Sequence, residues 1–279
     1  MDELNIAVAT NGIGLNTRMT ELFAKYNVHV QVSIDGGPEL HNELRVFPSG
    51  QGSFSGVEKA IKELKVRGLS FTSRSTVTEL NADILALFNV LSPLGFSSLN
   101  FQPVHGAKEL EIDSQEETFV SSYQKVVEDK EIMKKVVYAR AIWDRVERGL
   151  TINKFCGMGT AGLVIAPNGD VYPCHRLVGQ EEFQAGNILR HVNLEKVKAI
   201  GKKLPVESFP QCSFCWARYL CGGGCYAENL FENGTFSAPY PLRCKLTRSM
   251  IKKAISLFVR RRRDFEKGIP VAGAEGMSC

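Results

Sequence analysis

The chain has 279 residues, 44% of them hydrophobic, and a net charge of +4. That is enough for one large domain or a domain with a smaller appendage, and the mild positive charge does not call for a nucleic-acid partner. No run approaches the roughly 20 continuous apolar residues of a membrane span, and Met1-Asp2-Glu3-Leu4 lacks the basic start and apolar core of a secretory signal, so the expected compartment is the reducing cytoplasm.

Residues 5–10 (NIAVAT) read as a strand ending at Asn11-Gly12. Residues 17–26 have helical spacing, with Met19, Leu22 and Phe23 on one face. Residues 28–34 (VHVQVSI) read as a second strand, closed by a turn at Asp35-Gly36-Gly37-Pro38. In residues 54–67, Val57, Ala60, Ile61 and Leu64 recur at i, i+3, i+4 and i+7, and Gly68 stands as a stop. Residues 69–78 and 99–104 read as strands, with a helix between them capped by Asn81 and ending near Pro93. Four strands alternating with three helices imply parallel βαβ units with right-handed crossovers. The chemistry of such sheets sits at the C-terminal strand ends, here near Thr10, Ser33–Gly36, residues 74–78 and Gln102–Val104. The first strand should present an unpaired, association-prone edge.

Residues 114–148 read as one or two helices bridging to a second region. After Gly149 glycine, cysteine and short turns dominate as far as Cys244. Residues 246–263 form a final amphipathic helix whose stripe is Met250, Ile251, Ala254, Ile255 and Phe258, and the tail from Gly268 reads as irregular. The terminal Ser278-Cys279 lacks a prenylation form and reads as an incidental thiol.

The eight cysteines are unevenly placed: none precedes Cys156, and seven lie between Cys156 and Cys244. Clustered cysteines in a cytosolic chain point to metal ligation ahead of disulfides. Residues 162–173 suggest a hairpin turning at Asn168-Gly169, which returns Cys174 toward Cys156. Cys212-x2-Cys215 suits two thiolates facing one centre. Cys221-Gly222-Gly223-Gly224-Cys225 supplies a backbone able to wrap an inorganic core and aim N–H groups at sulfur. A tetrahedral zinc site would use four of the seven cysteines and leave three over. Two iron–sulfur clusters, one with four protein ligands and one with three, would use all seven.

The run Cys156-x12-Gly169-x4-Cys174, then Cys212-x2-Cys215-x5-Cys221-x3-Cys225, then Cys244, resembles the seven-cysteine signature of SPASM domains. These are C-terminal extensions of radical S-adenosylmethionine (SAM) enzymes that modify peptides and proteins. Thr10-Asn11-Gly12, Ser33-Ile34-Asp35-Gly36, His41-Asn42 with Arg45, and Gly52-Ser53-Phe54 are similar to the later strands and loops of the same family's barrel. The resemblance implies an α/β fold: the C-terminal part of a partial (βα)6 radical SAM barrel over residues 1–112, a helical bridge over 113–150, a small cysteine-rich SPASM domain with a β-hairpin and helices over 151–265, and a tail over 266–279. It implies two auxiliary 4Fe–4S clusters. Cys212, Cys215, Cys221 and Cys244 would hold the outer one. Cys156, Cys174 and Cys225 would hold the inner one and leave an iron open to a substrate thiolate, water or another side chain.

The resemblance also implies SAM contacts at Ser33 and Arg45 and a peptide or protein substrate. The residue-level alternatives are a strand-end hydroxyl and a surface ion pair. Sulfatase-maturing relatives carry an aspartate base after the cysteine equivalent to Cys174. His175 stands there in this chain, which disfavours formylglycine formation and leaves His175 as a proton acceptor, a hydrogen-bond donor to a cluster or a packed surface histidine. The CxxxCxxC motif that holds the SAM-cleaving cluster does not occur in the sequence. The chain then reads as the C-terminal portion of such an enzyme from a split or truncated gene, and the implied activity, a thioether or similar cross-link, would need the N-terminal part of the barrel, with a separate radical SAM half as one source of it. A non-catalytic iron–sulfur protein that relays electrons or binds peptide, and a structural zinc module, remain the alternatives.

Overall fold

The computed structural model describes residues 5–267, so Cys279 and the tail from Gly268 lie outside the described residues. The chain divides into two compact units. One runs to Trp143 and resumes at Lys253; the other is Asp144–Lys252.

In the first unit β1 (Ala7–Thr10), β2 (His29–Ser33), β3 (Phe71–Val77) and β4 (Leu99–Pro103) form a parallel sheet in the order β1-β2-β3-β4. The connecting helices are α1 (Thr17–Lys25), α2 (Pro38–Leu44), α3 (Phe54–Val66) and α4 (Ile84–Leu91). Right-handed crossovers in an unbroken strand order carry every helix to one side of the sheet. That is the arrangement of a barrel segment, since a doubly wound sheet reverses its strand order.

Period-two alternation divides the sheet. Val30, Val32, Phe71, Val77, Leu99 and Phe101 are buried on one face. The residues between them, Gln31, Ser33, Arg74, Thr76, Asn100 and Gln102, form a half-buried polar face. The apolar face matches the helix stripes: Val57, Ala60, Ile61 and Leu64 on α3, and Ile84, Leu87, Phe88 and Leu91 on α4, are all buried.

Four sequence expectations change in detail. Gly36-Gly37-Pro38 does not close a simple turn; Pro38 occupies the first position of α2, where its missing N–H costs nothing. Asn81 does not cap α4. It closes a capping box with Thr78, and Asp83 caps α4 by accepting the N–H groups of Leu85 and Ala86. The stretch after residue 113 holds three helices, α5 (Glu116–Glu128), α6 (Lys130–Lys135) and α7 (Val137–Arg148). In α1, Met19 and Leu22 are exposed and Thr20 is the buried residue, its hydroxyl donating to the Thr17 carbonyl at 3.0 Å.

The second unit has little regular structure. β5 (Val164–Ile165) and β6 (Val171–Tyr172) pair antiparallel, as do β7 (Gly186–Asn187) and β8 (His191–Val192). The β5–β6 loop is longer than a two-residue hairpin turn. Gly169 N–H donates to Ala166 O, and Gly169 adopts φ +87°, the left-handed position of a three-residue loop. Helices α8 (Leu194–Lys202), α9 (Arg218–Cys221) and α10 (Tyr226–Asn233) follow, and α11 (Pro241–Glu266) begins in this unit. Its core gathers Tyr172, Leu177, Phe183, Leu204, Val206, Phe209 and Tyr226. The Tyr226 hydroxyl is satisfied inside it, accepting from Phe155 N–H at 2.8 Å and donating to Leu204 O at 3.2 Å.

Candidate metal centre

The seven thiols of the second unit separate into two sets by mutual electrostatics. Ionised Cys156 would be repelled by Cys225 and Cys174, and Cys174 by Cys225. Cys212 would be repelled by Cys221, Cys244 and Cys215, and Cys244 by Cys221 and Cys215. The sets are Cys156, Cys174 and Cys225, and Cys212, Cys215, Cys221 and Cys244.

The local backbone explains the placement. In the four-thiol set Phe209 O accepts from Cys212 N–H and Cys212 O from Cys215 N–H, at 3.0 and 2.9 Å, winding Cys-x2-Cys into successive tight turns. The Arg218 guanidinium ties the same segment by donating to Ser213 O at 2.9 Å. α9 ends at Cys221, and Gly222, Gly223 and Gly224 all take positive φ. A Cβ on Gly222 would stand 2.7 Å from Phe155 N, so glycine is required there both for conformation and for space. In the three-thiol set Cys174 precedes the single turn His175–Leu177, and Cys225 is the N-cap of α10.

Burial dominates the acidity of these thiols. It pushes Cys212 up to about 12 and Cys244 to about 11, with repulsion from neighbouring thiols adding to the rise. Cys156, Cys174 and Cys221 are raised for the same first reason. Peptide N–H groups oppose it, from Met158 at Cys156, from Arg176 and Leu177 at Cys174, and from Gly223 and Gly224 at Cys221. Thiols that repel one another once ionised, and already receive N–H groups, form a donor set that a cationic core would convert to thiolates with release of protons.

The four-thiol set lines a cavity of about 260 Å³ shared with Arg218, Gly223, Pro241 and Arg248. A tetrahedral zinc draws its sulfurs to within about 4 Å of one another. Thiols ringed around an open volume suit a bulkier inorganic core, so the donor set fits an iron–sulfur cluster.

His175 follows Cys174 directly and is exposed. The sequence reading passed over its neighbour Arg176, whose Nη1 lies 3.5 Å from Cys225 Sγ and 3.1 Å from Glu228 Oε1.

In the first unit Ser33 ends β2 on the polar face, in register with Arg74, which is in register with Asn100. Arg45 is ion-paired: Nε donates to Asp35 Oδ2 at 2.5 Å and Nη2 to Oδ1 at 3.3 Å. Asp35 is 3% exposed and Arg45 31%. The row Ser33, Arg74, Asn100 was not singled out from sequence, though its signal, the polar residues of VHVQVSI, FTSRSTV and LNFQP, lies in the strand alternation.

The cysteine region is where comparison with known proteins is most direct. Residues 156–216 match the SPASM family model, an iron–sulfur cluster-binding domain. The serine-type anaerobic sulfatase-maturating enzyme of Bacteroides thetaiotaomicron is 28% identical over 83% of this chain and 63% of its own length. The subtilosin biosynthesis protein AlbA of Bacillus subtilis is 28% identical over 82% of this chain and 52% of its own. The chain thus spans between half and two thirds of the length of these curated relatives. The structure of native anSMEcpe with bound AdoMet shares the fold, with a TM-score of 0.76 over 94% of this chain and 76% of that one at 20% identity. No helix among the described residues is long and apolar enough to cross a membrane. The donor set and the matched segment agree: residues 156–216 match an iron–sulfur cluster-binding SPASM domain, and the chain around them is similar to enzymes that mature sulfatases and to a bacteriocin biosynthesis protein.

Proposed function

We propose that the second unit holds two auxiliary 4Fe–4S clusters and serves the maturation of a peptide or protein substrate. The observation that carries the reading is that Cys212, Cys215, Cys221 and Cys244 line one cavity, which leaves Cys156, Cys174 and Cys225 as a set of three whose thiols would repel one another once ionised. When bound, such clusters supply one-electron transfer and, where a ligand position is open, a Lewis-acidic iron. Cys212, Cys215, Cys221 and Cys244 would complete one ligand set. Cys156, Cys174 and Cys225 leave one position for a substrate donor, and a substrate cysteine thiolate is the donor that a thioether cross-link would need. His175, where sulfatase-maturing relatives carry aspartate, favours a cross-link over formylglycine.

Ser33 and Arg45 would contact SAM at the C-terminal end of β2. The SAM-cleaving cluster would be held by residues outside this sequence, whether on a longer form of the chain or on a separate polypeptide. A second reading, a cluster protein that binds peptide or relays electrons without SAM, is favoured by the Arg45–Asp35 pair, which already engages the guanidinium.

The test is iron, sulfide and zinc content after anaerobic reconstitution. About eight irons and eight sulfides per chain are expected. Cys212→Ser with Cys244→Ser should remove about half, and Cys156→Ser with Cys174→Ser the other half. Roughly one zinc with no sulfide would overturn the reading. SAM titration of the loaded chain then separates the two readings.

A further inference from the structure

Arg176 and Glu228 make a charged contact beside the three-thiol set that cluster ligation alone does not require. Glu228 is the third residue of α10, whose N-cap is Cys225, so one helical turn fixes the carboxylate relative to the sulfur. It is 1% exposed and accepts two bonds from Arg243, at 2.9 Å from Nε and 2.7 Å from Nη2; Arg243 is itself 4% exposed. A buried carboxylate this close to anionic ligands would oppose further negative charge. The Arg176 guanidinium stands between them, 3.1 Å from Glu228 Oε1 and 3.5 Å from Cys225 Sγ. Its own peptide N–H also serves Cys174, so one residue reaches two of the three thiols.

We propose that Arg176, held in place by Glu228 and Arg243, raises the reduction potential of the inner cluster by donating a charge-assisted hydrogen bond to Cys225 Sγ. Reduction adds one negative charge to the cluster and its thiolates without breaking a bond. A half-buried guanidinium interacts more strongly with that reduced state than with the oxidised one, and ionic screening is weak there. Arg176 is a positioning residue in this scheme, since it acts through the ligand and need not touch substrate. The inference rests on the cluster reading above.

The experiment is a potentiometric titration, followed by electron paramagnetic resonance, of the reconstituted full chain and of Arg176→Gln. At the wild-type midpoint, the ratio of reduced to oxidised inner cluster should fall about tenfold in the variant, about 59 mV for a one-electron couple. The outer cluster's midpoint should not move, and iron and sulfide content should equal wild type. Arg176→Lys, which keeps the charge but loses the planar fork, should fall between the two. A fully loaded Arg176→Gln with an unchanged inner midpoint, or equal shifts of both clusters, overturns the proposal.

Should Arg176→Gln not load, pulsed resonance on wild type carrying guanidino-¹⁵N arginine decides the question. A nitrogen coupling to the reduced inner cluster, lost in Arg176→Lys, supports the contact, and its absence overturns it. A wild-type chain that takes up no sulfide overturns the cluster reading itself, a failure distinct from either of these.

Discussion

At the scale of single residues, Asp35 joins segments that are far apart in sequence. Its carboxylate pairs with Arg45 and accepts Thr76 N–H at 2.7 Å, its carbonyl accepts from Asn81 Nδ2 at 2.9 Å, and its own N–H donates to His41 Nδ1 at 3.3 Å. The last bond fixes the tautomer of His41: Nδ1 accepts, so the proton is on Nε2, facing Ser53 Oγ at 3.1 Å. Protonating Nδ1 would set two donors against each other. Burial lowers the His41 pKa first, Asp35 raises it and Arg45 lowers it again, leaving it below 6.5. As pH falls through 6.5 the unfolded chain takes up a proton that the folded chain refuses, so stability drops until the folded pKa is reached. Replacing His41 with Gln should flatten that decline by up to about 1.4 kcal/mol per pH unit, read as the difference between wild-type and variant denaturation curves from pH 7 to 5. The cysteines were legible from sequence because few chemistries use seven thiols at such spacings. The Asp35 contacts were not, because Thr76 and Asn81 lie 41 and 46 residues away and no local pattern announces them. Arg45 stands out in the sequence, but its pairing with the buried carboxylate of Asp35 follows only from the fold.

At the scale of elements, the strands were readable because a two-sided sheet imposes alternation, and α3 because its stripe is complete. The misplaced start of α4 has a local cause. Asn81 Oδ1 accepts Thr78 N–H at 2.6 Å and Asn81 Nδ2 binds two carbonyls, so the side chain is spent before the helix begins and Asp83 takes the cap. The segment Cys221–Cys225 is the element on which the metal reading most depends. Gly222→Ala places a Cβ on a φ of +74° and 2.7 Å from backbone. It should destabilise the second unit by about 1–3 kcal/mol and lower iron content, measured by denaturation and by metal analysis of the same sample. A variant as stable and as iron-rich as wild type would show that glycine is not required at position 222.

At the scale of the whole molecule, the two units rest on different kinds of stability. The first has a sheet and long helical stripes. The second has two-residue strands, short helices and a core of modest size around Tyr226 and Phe209, and a domain so built gains much of its folding free energy from bound metal. Removing iron with a chelator should therefore raise hydrogen exchange across residues 206–226 while β2 and β3 keep their protection, as read by mass spectrometry. Uniform loss across both units would argue for one cooperative structure. The sheet of the first unit carries a consequence of its own. Its apolar side answers to packing, whereas its polar side answers to whatever that surface meets, and alternation assigns neighbouring codons to different masters. Substitutions at Gln31, Arg74, Thr76, Asn100 and Gln102 would thus leave the packing of Val30, Val32, Phe71 and Phe101 in place. What meets the polar side can therefore be altered by substitution there while the architecture stays as it is.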